Sequence, residues 1–123
     1  MAIAYWIVTG LLALAYLAAG GMKVARPRRK LVAAGLMWAG DFPLWSVRLI
    51  GLLEVIGAVG LILPPLTGIV PALAPWAAVG LVLVQIGAVI THVVRRETTT
   101  LLVNALLLAL AVAAAWIGFV VWA

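Results

Sequence analysis

Few residues in this sequence carry side chains capable of acid–base chemistry, and the most conspicuous ones stand inside apolar segments. Glu54 is set in the run RLIGLLEVIGAVGLILPP, and His92 ends an apolar run that also contains Gln85. Asn104 and Tyr16 each interrupt a further apolar run. Burying a carboxyl group in an apolar helix is costly, so we expect Glu54 to be protonated, paired or turned towards a hydrated cavity.

His92 is the expected partner of Glu54, because a nearby carboxylate favours the imidazolium and an imidazolium favours the carboxylate. Such a pair with a tyrosine beside it could transfer protons or hold a polar headgroup. Alternatively these groups only join helices, since interhelical hydrogen bonds in membranes contribute roughly 0.6–2 kcal/mol each. The candidate ligand-binding or proton-handling residues are Glu54, His92, Gln85, Asn104 and Tyr16; the sequence names no catalytic residue, and we expect no metal site.

The segments that carry these residues have the length of membrane helices. Hydrophobic residues make up 68% of the 123-residue chain and charged residues 9%, whereas soluble domains carry about a quarter charged residues. A helix needs about 20 apolar residues to cross the hydrocarbon. The sequence therefore predicts one all-α transmembrane domain over 1–123, a four-helix bundle with helices at about 3–22, 44–63, 75–94 and 101–121. Pro64 and Pro65 are expected to end the second helix, because proline lacks the amide donor.

The basic residues predict the orientation of this bundle. All eight lie within or beside the connection 23–43, or in the connection 95–100. These two connections emerge on the same side of two helical hairpins, and positive charge marks the cytoplasmic side. We therefore expect both termini on the non-cytoplasmic side. The first helix is expected to be retained, since a signal peptide carries its basic residues before the apolar run and here they follow it.

The remaining charges are expected to act near the membrane surface. A basic cluster could hold anionic lipid headgroups at about 1 kcal/mol per charge, or could simply orient the protein. Asp41 and Glu97 are expected to be solvated loop charges. Arg48 is six residues from Glu54 and does not share its helix face, so we expect it to extend to the interface. The basic cluster consists of Arg26, Arg28, Arg29 and Lys30.

Small residues predict where helices approach one another. Gly51 and Gly57 lie three residues on either side of Glu54, so a neighbouring helix can come close there. Gly80 and Gly87 lie on the face of the third helix opposite Gln85, which suggests a homodimer contact.

The sequence also resembles a known family. The run RLIGLLEVIGAVGLILPPLTGIVPALAPWAAVGLVLVQIGAVITHVVRRE and the opening LALAYLAAGGMKVARP resemble the DoxX-like family of small bacterial four-helix membrane proteins. Glu54 and His92 stand in the most specific parts of these runs. The resemblance implies a multi-pass protein of the bacterial cytoplasmic (inner) membrane. Some relatives are subunits of quinone-linked oxidoreductases and others are associated with oxidant defence.

Three classes of function remain open. The first is a quinone- or lipid-binding or redox-accessory subunit, for which a quinone is the expected cofactor. Its expected partners are oxidoreductase subunits, a second copy of the chain and the bilayer. The second is a small transporter or proton pathway, and the third is a structural or assembly subunit. A stand-alone enzyme ranks below these. The absence of cysteine excludes thiol chemistry and iron–sulfur clusters, and a single histidine excludes bis-histidine haem within one chain. No structural metal and no nucleic-acid partner are expected.

Overall fold

The computed structural model describes residues 1–123 and is almost entirely helical. Four helices are long and apolar enough to cross a bilayer. Two short helices connect the first of these long helices to the second. The all-α, four-helix membrane architecture predicted from the sequence is therefore confirmed. In chain order the elements are α1 (Ala2–Ala25), α2 (Arg28–Ala33), a 3₁₀ helix (Met37–Gly40), α3 (Leu44–Thr67), α4 (Leu73–Arg95) and α5 (Thr98–Trp122).

The long helices form a closed ring in the order α1, α3, α4, α5. Contacts between α1 and α3 and between α4 and α5 are the most extensive, and α5 closes the ring against α1. The centre is filled mostly by alanine and leucine, with the Tyr16 side chain among them. Large apolar side chains such as Leu14 and Leu106 point outward and are exposed. That outward apolar surface is what a lipid-embedded bundle requires.

The two ends of the bundle differ in character. The Tyr5 and Trp122 rings lie 5.5 Å apart, so the start of α1 lies beside the end of α5. At the other end, an ion pair between Asp41 and Arg95 links the two basic connections. We call this second end the basic end. Which end faces the cytoplasm stays a prediction from the charge pattern.

The prediction that Pro64 and Pro65 end the second helix is wrong, because α3 continues to Thr67. Each proline removes one backbone donor, and any other residue at position 65 would donate to the carbonyl of Leu61. The Tyr5 hydroxyl donates to that carbonyl instead, at 2.6 Å. The helix then ends at Gly68, which adopts the left-handed conformation and donates to the Pro64 carbonyl. The Tyr5 hydroxyl thus replaces one of the two backbone donors that the proline pair removes.

The first helix is also longer than predicted, and this matters for the site. It ends at Ala25 and not at residue 22, so Lys23 lies in its last turn. Arg26 precedes Pro27, and the proline ring excludes the helical conformation for the residue before it. Arg26 is accordingly extended, with φ −92° and ψ 146°. The break falls at Pro27, and the helical part of α1 carries Lys23 against α3.

Helix α1 crosses α3 at a pair of glycines. A Cβ at Gly20 would lie 2.6 Å from the Gly51 carbonyl oxygen, and a Cβ at Gly51 would lie 2.7 Å from the Gly20 carbonyl oxygen. Any side chain there would force the helices apart. The predicted close approach beside Glu54 is therefore confirmed, and it brings Lys23 within reach of that residue.

Candidate functional site

Glu54 is buried and forms an ion pair with Lys23. The Lys23 ammonium donates a hydrogen bond to Glu54 Oε1 across the α1–α3 contact. Glu54 is 2% exposed and the Lys23 side chain is 11% exposed. The expected Glu54–His92 pair is therefore wrong: the glycine crossing brings a lysine of α1 to Glu54, and His92 pairs with Glu97.

Arg48 holds the end of α1 that carries this lysine. Its Nη1 donates to the backbone carbonyls of Lys23, at 2.5 Å, and of Arg26, at 2.6 Å. The last carbonyls of a helix have no partner within the helix, and a cation there also interacts favourably with the helix dipole. Arg48 therefore also caps the end of α1, and its extension to the membrane interface stays a prediction. The Trp38 ring completes the surroundings, with its centroid 5.7 Å from Lys23 Nζ.

His92 is paired with a different carboxylate. Its Nδ1 lies 3.1 Å from Glu97 Oε1, which also accepts a hydrogen bond from Arg95 Nε at 2.9 Å. Desolvation raises the pKa of the Glu97 carboxyl, but the contacts with His92 and Arg95 outweigh it and hold that pKa below its usual range. Arg95 also pairs with Asp41. Asp41 is solvated as expected, with its side chain 66% exposed, whereas the Glu97 side chain is only 19% exposed; both also form ion pairs with Arg95.

The three remaining candidates differ in how their polar atoms are used. Asn104 donates from Nδ2 to the Thr100 carbonyl at 2.8 Å, a bond within its own helix. The Tyr16 hydroxyl and Gln85 Oε1 are buried, and neither has a hydrogen-bond partner of acceptable geometry within the protein. The side-chain nitrogen of Asn104 therefore does not join helices, and the buried polar atoms of Tyr16 and Gln85 have no partner within the protein.

A cavity of about 510 Å³ lies at the basic end, between the four long helices. Glu54, Gln85, His92 and Asn104 all line it, so the structure brings four of the five predicted residues to one space. Tyr16 is buried next to this space and does not line it. Most of the wall is apolar, and Leu36, Trp38 and Phe42 of the connecting segment cover the cavity towards the basic end.

The basic cluster lies outside this cavity. Its residues are exposed on the connection between α1 and α2 and along α2, with one side-chain bond from Arg28 Nη2 to the Phe42 carbonyl at 3.1 Å. Binding of lipid headgroups by Arg26, Arg28, Arg29 and Lys30 stays a prediction. No group of three His, Asp or Glu side chains comes together that could hold a metal ion.

Among the cavity-lining residues that the sequence does not single out, Lys23 and Trp38 matter most, because they surround Glu54. The predicted connection 23–43 includes Lys23 because this lysine opens a run of basic residues. The signal that could have placed it on the helix is Pro27, which restricts only the residue before it and leaves Lys23 in the last helical turn. Trp38 lies 15 residues further along and reaches Lys23 only because the connecting segment folds back, which no spacing indicates.

The comparison with protein families agrees with this architecture. The model of the DoxX-like family matches residues 7–114. The chain belongs to the DoxX-like family. The matched range contains every residue that lines the cavity of this DoxX-like protein, whereas Tyr5 and Trp122 at the other end lie outside it. No curated protein and no solved structure matches the sequence significantly.

Proposed function

We propose that this DoxX-like protein is a membrane subunit that binds a quinone, or another lipid with a compact polar head, in the cavity at Glu54. In this role it works beside a redox partner as an accessory subunit. We also propose that it lies in the bacterial cytoplasmic membrane, with the basic end in the cytoplasm. The cavity is the observation that supports the binding role.

The size and lining of the cavity suit such a ligand. Sites for small molecules enclose about 300–1,000 Å³ and combine mainly apolar walls with a few polar groups. This cavity has about 510 Å³ and a mainly apolar wall. An apolar ring would be desolvated there, while a few polar side chains could fix its oxygen atoms.

The polar groups of the wall offer both kinds of hydrogen-bond partner. Glu54 accepts the Lys23 hydrogen bond at Oε1, and a carboxylate can accept at its second oxygen as well. Asn104 uses its nitrogen for Thr100, which leaves its oxygen free to accept. Lys23 keeps further N–H groups beyond the one that it gives to Glu54. A headgroup with ring oxygens could therefore accept near Lys23 and, when protonated, donate to Glu54 or Asn104.

Native mass spectrometry with lipid extraction on gently purified protein tests this proposal. Wild type is expected to carry a discrete quinone or lipid, and Glu54→Gln to lose most of it. Thr9→Val is the matched control, because Thr9 is equally buried but donates only to the Tyr5 carbonyl, far from the cavity. If wild type carries no specific ligand, or if Glu54→Gln retains it fully, the proposal fails.

The structural or assembly role is the second candidate, and the Lys23–Glu54 pair favours it. The pair joins two helices of one bundle, which is what a group that only fixes packing would do. In that case Glu54→Gln changes stability or the recovery of partner proteins, and no ligand is lost. The same samples therefore distinguish the two roles.

A further inference from the structure

We infer that the cavity is filled sideways from the bilayer, past Gly87 of α4, and that its ligand is an amphiphile whose head lies at Glu54 while its tail stays in the lipid. This inference rests on the proposed function, because it specifies the kind of ligand that the cavity takes. It is carried by three observations: a polar side lined by the connecting segment, a more exposed lipid side and the depth of Gly87.

The polar side of the cavity is covered. Leu36, Trp38 and Phe42 line it from the connecting segment. That segment is tied down twice, by the bond from Arg28 to the Phe42 carbonyl and by the Asp41–Arg95 ion pair. A molecule coming from the aqueous phase would have to displace these contacts.

The lipid side is the more exposed side. Leu83 and Val103 line the cavity and are 65% and 55% exposed, against 38% for Phe42 on the polar side. Gly87 lines the cavity as well, and no atom of another helix lies within 4 Å of the position where its Cβ would stand. A molecule in the bilayer therefore meets a gap at Gly87 and no packed side chain.

The depth of the opening indicates which part of the ligand passes through it. Gly87 is eight residues before the end of α4, about 12 Å along the helix, and Glu54 is ten residues after the start of α3, about 15 Å. Both depths fall within a hydrocarbon layer about 30 Å thick. The head of the ligand thus moves sideways at constant depth, which suits a quinone dissolved in the hydrocarbon, and its apolar tail extends out between lipid chains.

Two glycines of α4 provide a matched test. Gly80 is one heptad from Gly87, and its Cβ position is equally free of neighbours, but Gly80 does not line the cavity. Leucine at either position replaces a residue with poor helix propensity, so neither variant is expected to unfold the protein. Binding of decyl-ubiquinone and of the same ring without its tail is measured in lipid nanodiscs by quenching of tryptophan fluorescence, since Trp38 lines the cavity.

Gly87→Leu is expected to weaken decyl-ubiquinone binding at least tenfold and binding of the tailless ring less than threefold. Gly80→Leu is expected to change both less than twofold. If Gly87→Leu changes nothing, if it weakens both quinones equally, or if Gly80→Leu has the same effect, the lateral route is overturned. A wild type that binds neither quinone contradicts the proposed function and this inference together. Lipid extraction shows whether the bound amphiphile is a quinone or a phospholipid. A phospholipid lost from Gly87→Leu but kept by Gly80→Leu supports the same route with a different head.

Discussion

The buried ion pair allows a quantitative prediction about Lys23. Lys23→Met keeps the length of the side chain and leaves the Glu54 carboxylate, 2% exposed, without its partner. Removing one partner of a buried pair costs about 3–5 kcal/mol, because an uncompensated charge stays buried. We therefore expect Lys23→Met to lower the free energy of unfolding by roughly that amount.

The reverse substitution is expected to cost less. Glu54→Gln leaves the Lys23 ammonium, whose side chain is 11% exposed and still lies over the Trp38 ring. A lysine can move its charge towards water along its flexible stem. The loss is then close to that of one hydrogen bond to a charged group, about 1.5–3 kcal/mol. The double variant is expected to lose less than the sum of the two single variants, by about 2 kcal/mol, since neither charge is left unpaired.

Equilibrium unfolding in mixed detergent micelles, followed by circular dichroism, measures all three variants. Lys30→Met is the control, because Lys30 is an exposed lysine of α2 with no side-chain partner, and its loss is expected to change stability by less than about 0.5 kcal/mol. If Lys23→Met costs no more than Lys30→Met, or if the two single effects simply add, the ion pair does not hold α1 to α3 and the reasoning is refuted.

Three further predictions concern the packing of the bundle and its surface network. Gly51→Ala is expected to cost about 1–3 kcal/mol by forcing α1 away from α3, whereas Gly21→Ala, with nothing within 4 Å of its Cβ position, is expected to stabilise α1 by about 0.5–1 kcal/mol. Tyr5→Phe is expected to cost about 1–3 kcal/mol because it leaves a carbonyl without the donor that Pro65 cannot supply, whereas Tyr16→Phe removes a hydroxyl without a partner and is expected to be close to neutral. The pKa of Glu97 is lowered on folding, so the contribution of Glu97 to stability is present above the usual carboxyl pKa and is lost as the pH falls through the lower folded value. Thermal unfolding of wild type and Glu97→Gln from pH 7 to pH 3 measures this contribution.

Each of these three has an outcome that contradicts it. Equal effects of alanine at Gly51 and Gly21 would mean that the helices are not in close contact at Gly51. Equal effects of phenylalanine at Tyr5 and Tyr16 would mean that the Tyr5 bond does not replace the missing backbone bond. A difference between wild type and Glu97→Gln that stays constant down to pH 3 would mean that Glu97 titrates alike in the folded and unfolded states.

Much of the architecture could be predicted from the sequence because a bilayer leaves few solutions. A chain with 68% hydrophobic residues in runs of about 20 has to bury its backbone polar groups in helices. Helix ends were less predictable. Proline usually ends a helix, yet α3 continues through Pro64 and Pro65, and Tyr5, about 60 residues earlier in the sequence, supplies one of the two missing donors.

The candidate site, too, could be predicted from the sequence only in part. Glu54 could be singled out from its position alone, since an acid in an apolar helix must have a partner or a cavity. The identity of that partner could not be predicted from the sequence. His92 was the reasonable expectation from residue types, but the geometry of the α1–α3 crossing selects Lys23 and leaves His92 to Glu97.

By itself, the sequence determined the number of membrane helices, the family and which polar side chains stand inside apolar segments, because hydrophobicity and charge act locally along each helix. Only the tertiary structure decided which of these groups meet. Two glycines set how closely α1 and α3 approach, and that approach gives Glu54 a lysine from the neighbouring helix. The connecting segment then covers the polar side of the cavity and leaves the opening at Gly87 to the bilayer. Ion pairs and cavities depend on distances between helices, and no periodicity within a single helix contains those distances.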